Sequence, residues 1–308
     1  MTLLITIIVL ALLFDFINGF HDAANSIATI VSTKVLTPFQ AVLWAALFNF
    51  VAFFIAKFIL GEFGIGNTVA KTVFEQFVTL PIIFSGIVAA ILWNLATWWL
   101  GIPSSSSHTL IGGFAGAAIA ASGFVAIQVG VILKIAAFIF LAPIIGMVAA
   151  AVISLIVMFL AKKANPHKAN RRFKHLQLLS SALFSVGHGM NDSQKVMGII
   201  AVALIAYNAA NPGVLPDFMA LNNFNEIIET EHFDWIPLAC FTAIALGTMS
   251  GGWKIVKTMG TRITKVTPFE GVVAETAGAL TLYLTEILHV PVSTTHTITG
   301  AIIGVGAT

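Results

Sequence analysis

Pro103-Ser104-Ser105-Ser106-Ser107-His108-Thr109 returns 188 residues later as Pro291-Val292-Ser293-Thr294-Thr295-His296-Thr297. At that offset Pro103, Ser105, His108, Thr109, Gly112 and Gly116 meet identical partners in Pro291, Ser293, His296, Thr297, Gly300 and Gly304. Ser106 and Ser107 face Thr294 and Thr295, so the hydroxyls persist where the residue type changes. A second pair, offset by 170, sets Phe14, Gly19 and Asp22 against Phe184, Gly189 and Asp192. Two motifs thus occur once per half, in the same order, the mark of an internally duplicated chain. Thr37-Pro38-Phe39 also recurs at Thr267-Pro268-Phe269, but its offset of 230 fits neither pair and reads as coincidence.

The composition around these motifs fixes the medium. Of 308 residues, 58% are hydrophobic and 9% charged, and mean hydropathy is +0.98. A water-facing surface needs roughly a quarter to a third charged side chains, so the chain reads as an all-α polytopic membrane protein. At roughly 20 apolar residues per crossing it has room for about eight to ten, which excludes a soluble catalytic or nucleic-acid-binding domain. The net charge of +2 suggests no polyanion partner, and Cys240 alone makes neither an intramolecular disulfide nor a cysteine metal cluster. The first 20 residues lack a basic start and a small-residue cleavage site and read as a retained helix.

Apolar runs cover 1–20 with a weaker extension over 23–36, then 38–60, 78–100, 109–127 and 128–161, followed by 176–206, 236–250, 266–288 and a stub from 297. Between the two sets Lys162, Lys163, Lys168, Arg171, Arg172 and Lys174 form the densest basic stretch, which the positive-inside rule places in the cytoplasm. Counting outward puts the N-terminus outside, Lys34 and the Pro103–His108 loop inside, residues 61–77 outside, the acidic stretch 207–235 outside, and the loop with Lys254, Lys257, Arg262 and Lys265 inside. Five crossings precede the basic stretch. An odd number inverts the second copy, giving a first repeat over 1–161, a basic cytoplasmic loop over 162–175 and a second repeat over 176–308. The first Ser/Thr-His loop is then expected to enter from the cytoplasmic side and its twin from outside. Inverted repeats with broken helices and two Ser/Thr-rich re-entrant loops are the pattern of a secondary transporter with its site at the repeat interface. The chain stops 12 residues after His296, so the second half is expected to be C-terminally incomplete.

The motifs carry complementary chemistry. In Asn18-Gly19-Phe20-His21-Asp22-Ala23-Ala24-Asn25-Ser26 the Asn-Gly pair is expected to open a helix. Asp22 and Asn25, at i and i+3, share a face and offer hard oxygens to a small cation; an N-cap aspartate is the alternative. The second copy, His188-Gly189-Met190-Asn191-Asp192-Ser193-Gln194-Lys195, sets Lys195 where Asn25 stands, so Asp192 either forms an ion pair or works beside a fixed cation that touches an anion. Asn191 and Gln194 add oxygens to this copy's cation set. Hydroxyls and free amides at a helix start face the positive end of the helix dipole, so the two Ser/Thr loops make an anion site or, alternatively, cap two helices. No arginine lies in an apolar run, so an anion must be held by these donors or by Lys195. A Ser-His hydrolase is disfavoured by the missing Gly-x-Ser-x-Gly elbow. His21, His108, His188 and His296 lack the spacing of a zinc site and are expected to hold loops by hydrogen bonds. Asp15, Lys134, Glu275 and Glu286 are further intramembrane charges, and Glu275, among small neighbours, is expected to line the pathway.

These four motifs, in this order, resemble the PiT family of inorganic phosphate transporters, and the Gln194-Lys195 ending is similar to its bacterial and archaeal branch. The resemblance implies inverted repeats in a plasma membrane, symport of phosphate with sodium or protons, often a homodimer, and no cofactor or nucleic-acid partner. It implies coupling cations at Asp22, Asn25 and Asp192. Phosphate donors would be Ser105, Ser106, Ser107, Thr109, Ser293, Thr294, Thr295 and Thr297. A carrier for sulfate or another oxyanion and a passive anion channel are the rival readings.

Overall fold

In an apolar interior each backbone amide must find its partner within the chain, and helices do this locally. The computed structural model, which describes residues 1–253, 255–256 and 266–308, is helical accordingly, and among the described residues the single β feature is a bridge between Val73 and Ile127. The helices are α1 (Thr2–Ser32), α2 (Pro38–Ile55, continued by a π turn over Ala56–Leu60), α3 (Gly64–Ala70), α4 (Leu80–Leu100), α5 (Ser106–Ser122), α6 (Val129–Ala161), α7 (Pro166–Ala210), α8 (Glu226–Glu229), α9 (Trp235–Ser250), α10 (Pro268–Ile287) and α11 (Thr294–Gly306). Among them α1, α2, α4, α6, α7 and α9 are long and apolar enough to cross a membrane. Lys254, Lys257, Arg262 and Lys265, expected in an inside loop, lie outside the described residues.

Side-chain contacts fix the direction of each helix. The amino group of Met1 donates to Tyr207 Oη at 2.9 Å near the end of α7. Asn18 donates to Asp192 midway, and Thr33 donates to Gln177 near the start of α7 at 2.8 Å. The two motif helices therefore run antiparallel, from a face bearing Met1 and Tyr207 (the Met1 face) to one bearing the basic residues (the basic face). Two apolar cores flank the motifs: one holds Leu4 to Ile17 of α1 with Val186 to Leu204 of α7, the other Ala24 to Ile30 with Phe184 and the inner side of α10 and α11.

α4 and α5 form a hairpin based on the Met1 face, where Phe74 N donates to Ala126 O at 2.9 Å and Gln128 N to Thr72 O at 3.0 Å. α10 and α11 form a second one based on the basic face, with Phe269 against Phe173 and Thr308 against Ser154. The entry sides are thus the reverse of the expectation from counting runs. α4 ends and α5 begins midway along α1, Thr97 lying against His21 and Ser106 against Asp22, so the pair turns back inside the molecule. α6 packs along α11, with Gly300 on Pro143 and Gly304 on Met147, so closely that any Cβ would overlap a backbone carbonyl.

Three further local readings change. Asn18 and Gly19 lie inside an unbroken α1, so they open no helix; Gly19 is small because the backbone of α9 at Ile244 and Gly247 meets it there. Gly189, its counterpart, meets the backbone of Asn49 in the same way. Residues 166–175 are the first turns of α7 rather than a loop, started by Pro166 and by the Asn165 side chain accepting from His167 N and Lys168 N. Thr37 and Thr267 both begin helices with a Thr-Pro capping box, Gln40 and Glu270 closing it, so the repeated tripeptide reflects shared capping chemistry. At the turn of each hairpin one residue adopts a left-handed φ, Gly101 at 68° and its offset partner His289 at 53°. Glycine adopts that conformation freely, whereas histidine does so under strain.

Candidate functional site

The tips of the two hairpins meet between α1 and α7. Ser107 Oγ donates to Val292 O at 2.9 Å and Thr295 Oγ1 donates to Ser104 O at 3.3 Å. Residues 107 and 295, like 104 and 292, are partners at the 188 offset, so the tips exchange one bond twice about a local two-fold axis. The rings of His108 and His296 stand 5.4 Å apart. α5 leads from this point to the Met1 face and α11 to the basic face, so two helix N-termini, with the positive ends of their dipoles, converge head to head.

The predicted donors divide into two groups. Ser105 and Ser293 are N-caps, accepting from His108 N and His296 N at 3.2 Å each. Thr109 and Thr297 donate back to the carbonyls of Ser105 and Ser293 at 2.8 and 2.9 Å. These four shape the tips. Ser106, Ser107, Thr294 and Thr295 face the carboxylate motifs instead. Asp22 accepts from Ser106 Oγ and Thr294 Oγ1 at 3.4 Å and lies 2.7 Å from His21 Nδ1. Asn25 Nδ2 donates to Thr294 Oγ1 at 3.1 Å and to Thr295 Oγ1 at 2.9 Å.

The second half answers with the same geometry and a different charge. Lys195 Nζ donates to Ser107 Oγ, to Asp192 Oδ1 at 2.6 Å and to Val292 O at 2.8 Å. It thus reaches the hydroxyl equivalent to the one Asn25 reaches. Asp192 also lies 3.2 Å from His188 Nε2 and accepts from Asn18 Nδ2 at 3.4 Å. Ligand atoms of Asp22, His188 and Asp192 all fall within 4.8 Å of one another. The cluster thus sets the carboxyl oxygens of Asp22 beside those of Asp192, which the Lys195 ammonium bonds, with amides and hydroxyls next to them.

Not every predicted residue joins the cluster. Gln194 turns away, accepting from Ile65 N at 3.1 Å and donating to Glu286 at 2.6 Å. Asn191 accepts from Val292 N at 3.5 Å. Glu275 is buried elsewhere, accepting from Thr29 Oγ1 and Ser180 Oγ at 2.5 Å and from Gln177 Nε2 at 3.1 Å. Thr29 stands seven residues past Asp22, so this group lies roughly 10 Å nearer the basic face. Conversely, His21 and His188, expected to hold loops, contact the two aspartates, with Thr97 Oγ1 3.2 Å from His21 Nε2. The spacing of His188 and Asp192, one helical turn, was the available signal. An open pocket of about 600 Å³, lined by Trp93, Ser104, His108, Thr109 and His296, adjoins the tips.

Residues 18–173 and 160–308 match the family described as the phosphate transporter family. The chain belongs to the phosphate transporter family. Its members are transporters, not enzymes. Over 306 residues, 99% of this chain and 85% of the relative, it is 48% identical to a Rhizobium meliloti (strain 1021) protein named "Probable low-affinity inorganic phosphate transporter". A Bacillus subtilis (strain 168) protein of the same name is 44% identical over 309 residues, 99% of this chain and 86% of its own. Among solved structures, one described as the sodium-dependent phosphate transporter shares the fold with TM-score 0.83 at 24% identity, covering 100% of this chain and 90% of the other.

Proposed function

We propose that the chain carries inorganic phosphate across a membrane with cations, sodium rather than protons at the Asp22/Asp192 cluster, by alternating access about the two hairpin tips. The observation that carries the reading is the reciprocal bonding of Ser107 to Val292 and Thr295 to Ser104, which sets two helix N-termini beside Asp22, Asn25, Asp192 and Lys195. A tetrahedral oxyanion between those termini meets first-turn amides, four hydroxyls and one ammonium, which suits phosphate without arginine. Asp22, Asn25 and Asp192 supply the hard oxygens that sodium prefers, while Asn191 holds the Val292 amide. The four capping residues keep the tips in register, while Gln194 and Glu275 act from outside the cluster.

Phosphate carries between about one and two negative charges near neutral pH, and burying it bare is prohibitive. Cations at the aspartates offset that charge, so each ligand raises the affinity of the other by the same coupling free energy. Empty and fully loaded carriers reorient; half-loaded ones do not. The basic face, with Lys168, Arg171, Arg172 and Lys174, faces the cytoplasm.

The test is uptake of labelled phosphate into liposomes holding the full chain, under an inward sodium gradient and, separately, an inward proton gradient without sodium. Accumulation above equilibrium with sodium, lost in D22N and D192N, supports the reading. Accumulation with protons alone moves the coupling ion, equal competition by sulfate moves the substrate, and simple equilibration in every condition refutes coupled transport.

A further inference from the structure

α1 carries another carboxyl group, Asp15, that the cluster does not use. Seven residues before Asp22, it lies about two turns, roughly 10 Å, nearer the Met1 face. Its exposure is 0%, and neither carboxyl oxygen has a hydrogen-bond partner among the described residues. The side-chain oxygen of Asn18, one turn on, is likewise without a partner among them, while the Asn18 nitrogen donates to Asp192. α9 runs alongside, Gly19 meeting Ile244 and Phe16 meeting Gly247, which sets Cys240 opposite Asp15. In the duplicated half Ser185 occupies the equivalent place, so this carboxyl group is outside the repeat pattern.

The titratable groups around it are few. α7 presents His188, Asp192 and Lys195, the last two already bonded to each other, and α9 presents Cys240. The π turn after α2 brings Lys57, paired with Asp234 at the start of α9, and α4 brings none. His108 and His296 sit at the tips, and Glu275, Tyr283 and Glu286 on α10. An ionised carboxylate with only the Asn18 amide near it is far more costly to bury than the neutral acid. Hard divalent cations take about six or more oxygens and sodium, equally hard, favours a shell of similar size; Asp15 and Asn18 offer three. A proton needs one.

We propose that Asp15 is a proton-binding site of this transporter, held as the neutral acid while the Met1 side is closed. When that side opens, the Asp15 O–H bond breaks, the proton passes to entering water, and the Asn18 amide nitrogen is free to turn from Asp192 to the new carboxylate. The inference rests on the phosphate-transport reading for its place in a cycle, and on the surroundings of Asp15 alone for the bound proton.

The experiment therefore has two readouts. Infrared spectra of the full chain in lipid vesicles are expected to show a carboxylic-acid carbonyl band that vanishes in D15N and returns, shifted, in D15E. In liposomes with equal sodium on both sides, an inward proton gradient is expected to stimulate wild-type phosphate uptake, and D15N to lose that stimulation while still exchanging phosphate for phosphate. A wild-type spectrum without an Asp15-dependent band, or undiminished proton stimulation in D15N, overturns the proposal. Absence of phosphate exchange in the wild type overturns the transport reading instead and leaves the infrared band to decide Asp15. If D15N fails to fold, carbon-13 labelling of the aspartates in the unmodified chain shows whether the band belongs to aspartic acid, and a band that does not move overturns the proposal.

Discussion

Replacing Lys195 with methionine separates the two halves of the site energetically. Lys195 is 2% exposed and Asp192 0%, and the ammonium holds Asp192, Ser107 and the Val292 carbonyl at once. Removing one partner of a buried ion pair costs roughly 3–5 kcal/mol because the other charge stays buried; Asn18 and His188 alone then support Asp192. At about 2–4 °C per kcal/mol the K195M protein is expected to melt roughly 6–20 °C below wild type. D192N strands the ammonium and falls in the same range. The double variant D192N/K195M removes both charges and is expected to recover most of the loss, so the singles sum to several kcal/mol more than the double. Thermal unfolding of the purified chain, followed by tryptophan fluorescence, measures all three. The same change removes one charge-assisted bond to phosphate, worth about 1.5–3 kcal/mol, so phosphate should protect K195M only at concentrations roughly 10–150 times higher. A K195M protein that melts with wild type, or a double variant no better than the worse single, would refute the reasoning.

The remaining expectations are simpler. G300A and G304A place a Cβ against the backbone of α6, whereas at Gly112 and Gly116 a Cβ meets nothing within 4 Å; the first pair should each lose about 1–3 kcal/mol and the second pair melt unchanged. E275Q puts an amide nitrogen among the donors of Thr29, Gln177 and Ser180 and should lose about 1–3 kcal/mol of stability, with phosphate protection at wild-type concentrations. S105A and S293A each remove an N-cap, so each should lower stability by about 1 kcal/mol, and a clear inequality between them would count against the local two-fold symmetry. In the uptake assay D22N should bind phosphate weakly and accumulate none, and full sodium-driven accumulation by it would remove Asp22 from the cation site.

Much of this was legible because the duplication preserves chemistry at fixed offsets. The pairs Asp22/Asp192 and Ser107/Thr295 could be matched by arithmetic, and their convergence in space follows the matching. The i, i+3 spacing of Asp192 and Lys195 foretold their ion pair, since one helix face carries both. The side from which each hairpin enters was not legible: residues 78–100 and 109–127 are apolar whether they cross a membrane or fold back against α1 and α7. Nor did spacing separate Ser105, which caps α5, from Ser107, which reaches across to Val292, because adjacent serines differ only in the direction set by the first helical turn. Asn18 and Gly19 read as a helix start; a close approach of α9, remote in sequence, was the reason for the glycine.

An apolar helical protein with carboxylates and hydroxyls at matched offsets could be read from the sequence, because hydropathy and offset are properties of the chain alone. Packing alone sets the hydrogen bonds exchanged by the two tips, the contacts of His21 and His188 with the aspartates, the turn of Gln194 and Glu275 elsewhere, and the Asp15 carboxyl oxygens without a hydrogen-bond partner among the described residues. The physical reason is range: a side chain's periodicity fixes its face of a helix, but what stands opposite that face depends on packing between segments more than 100 residues apart in the chain, such as Ser107 and Val292.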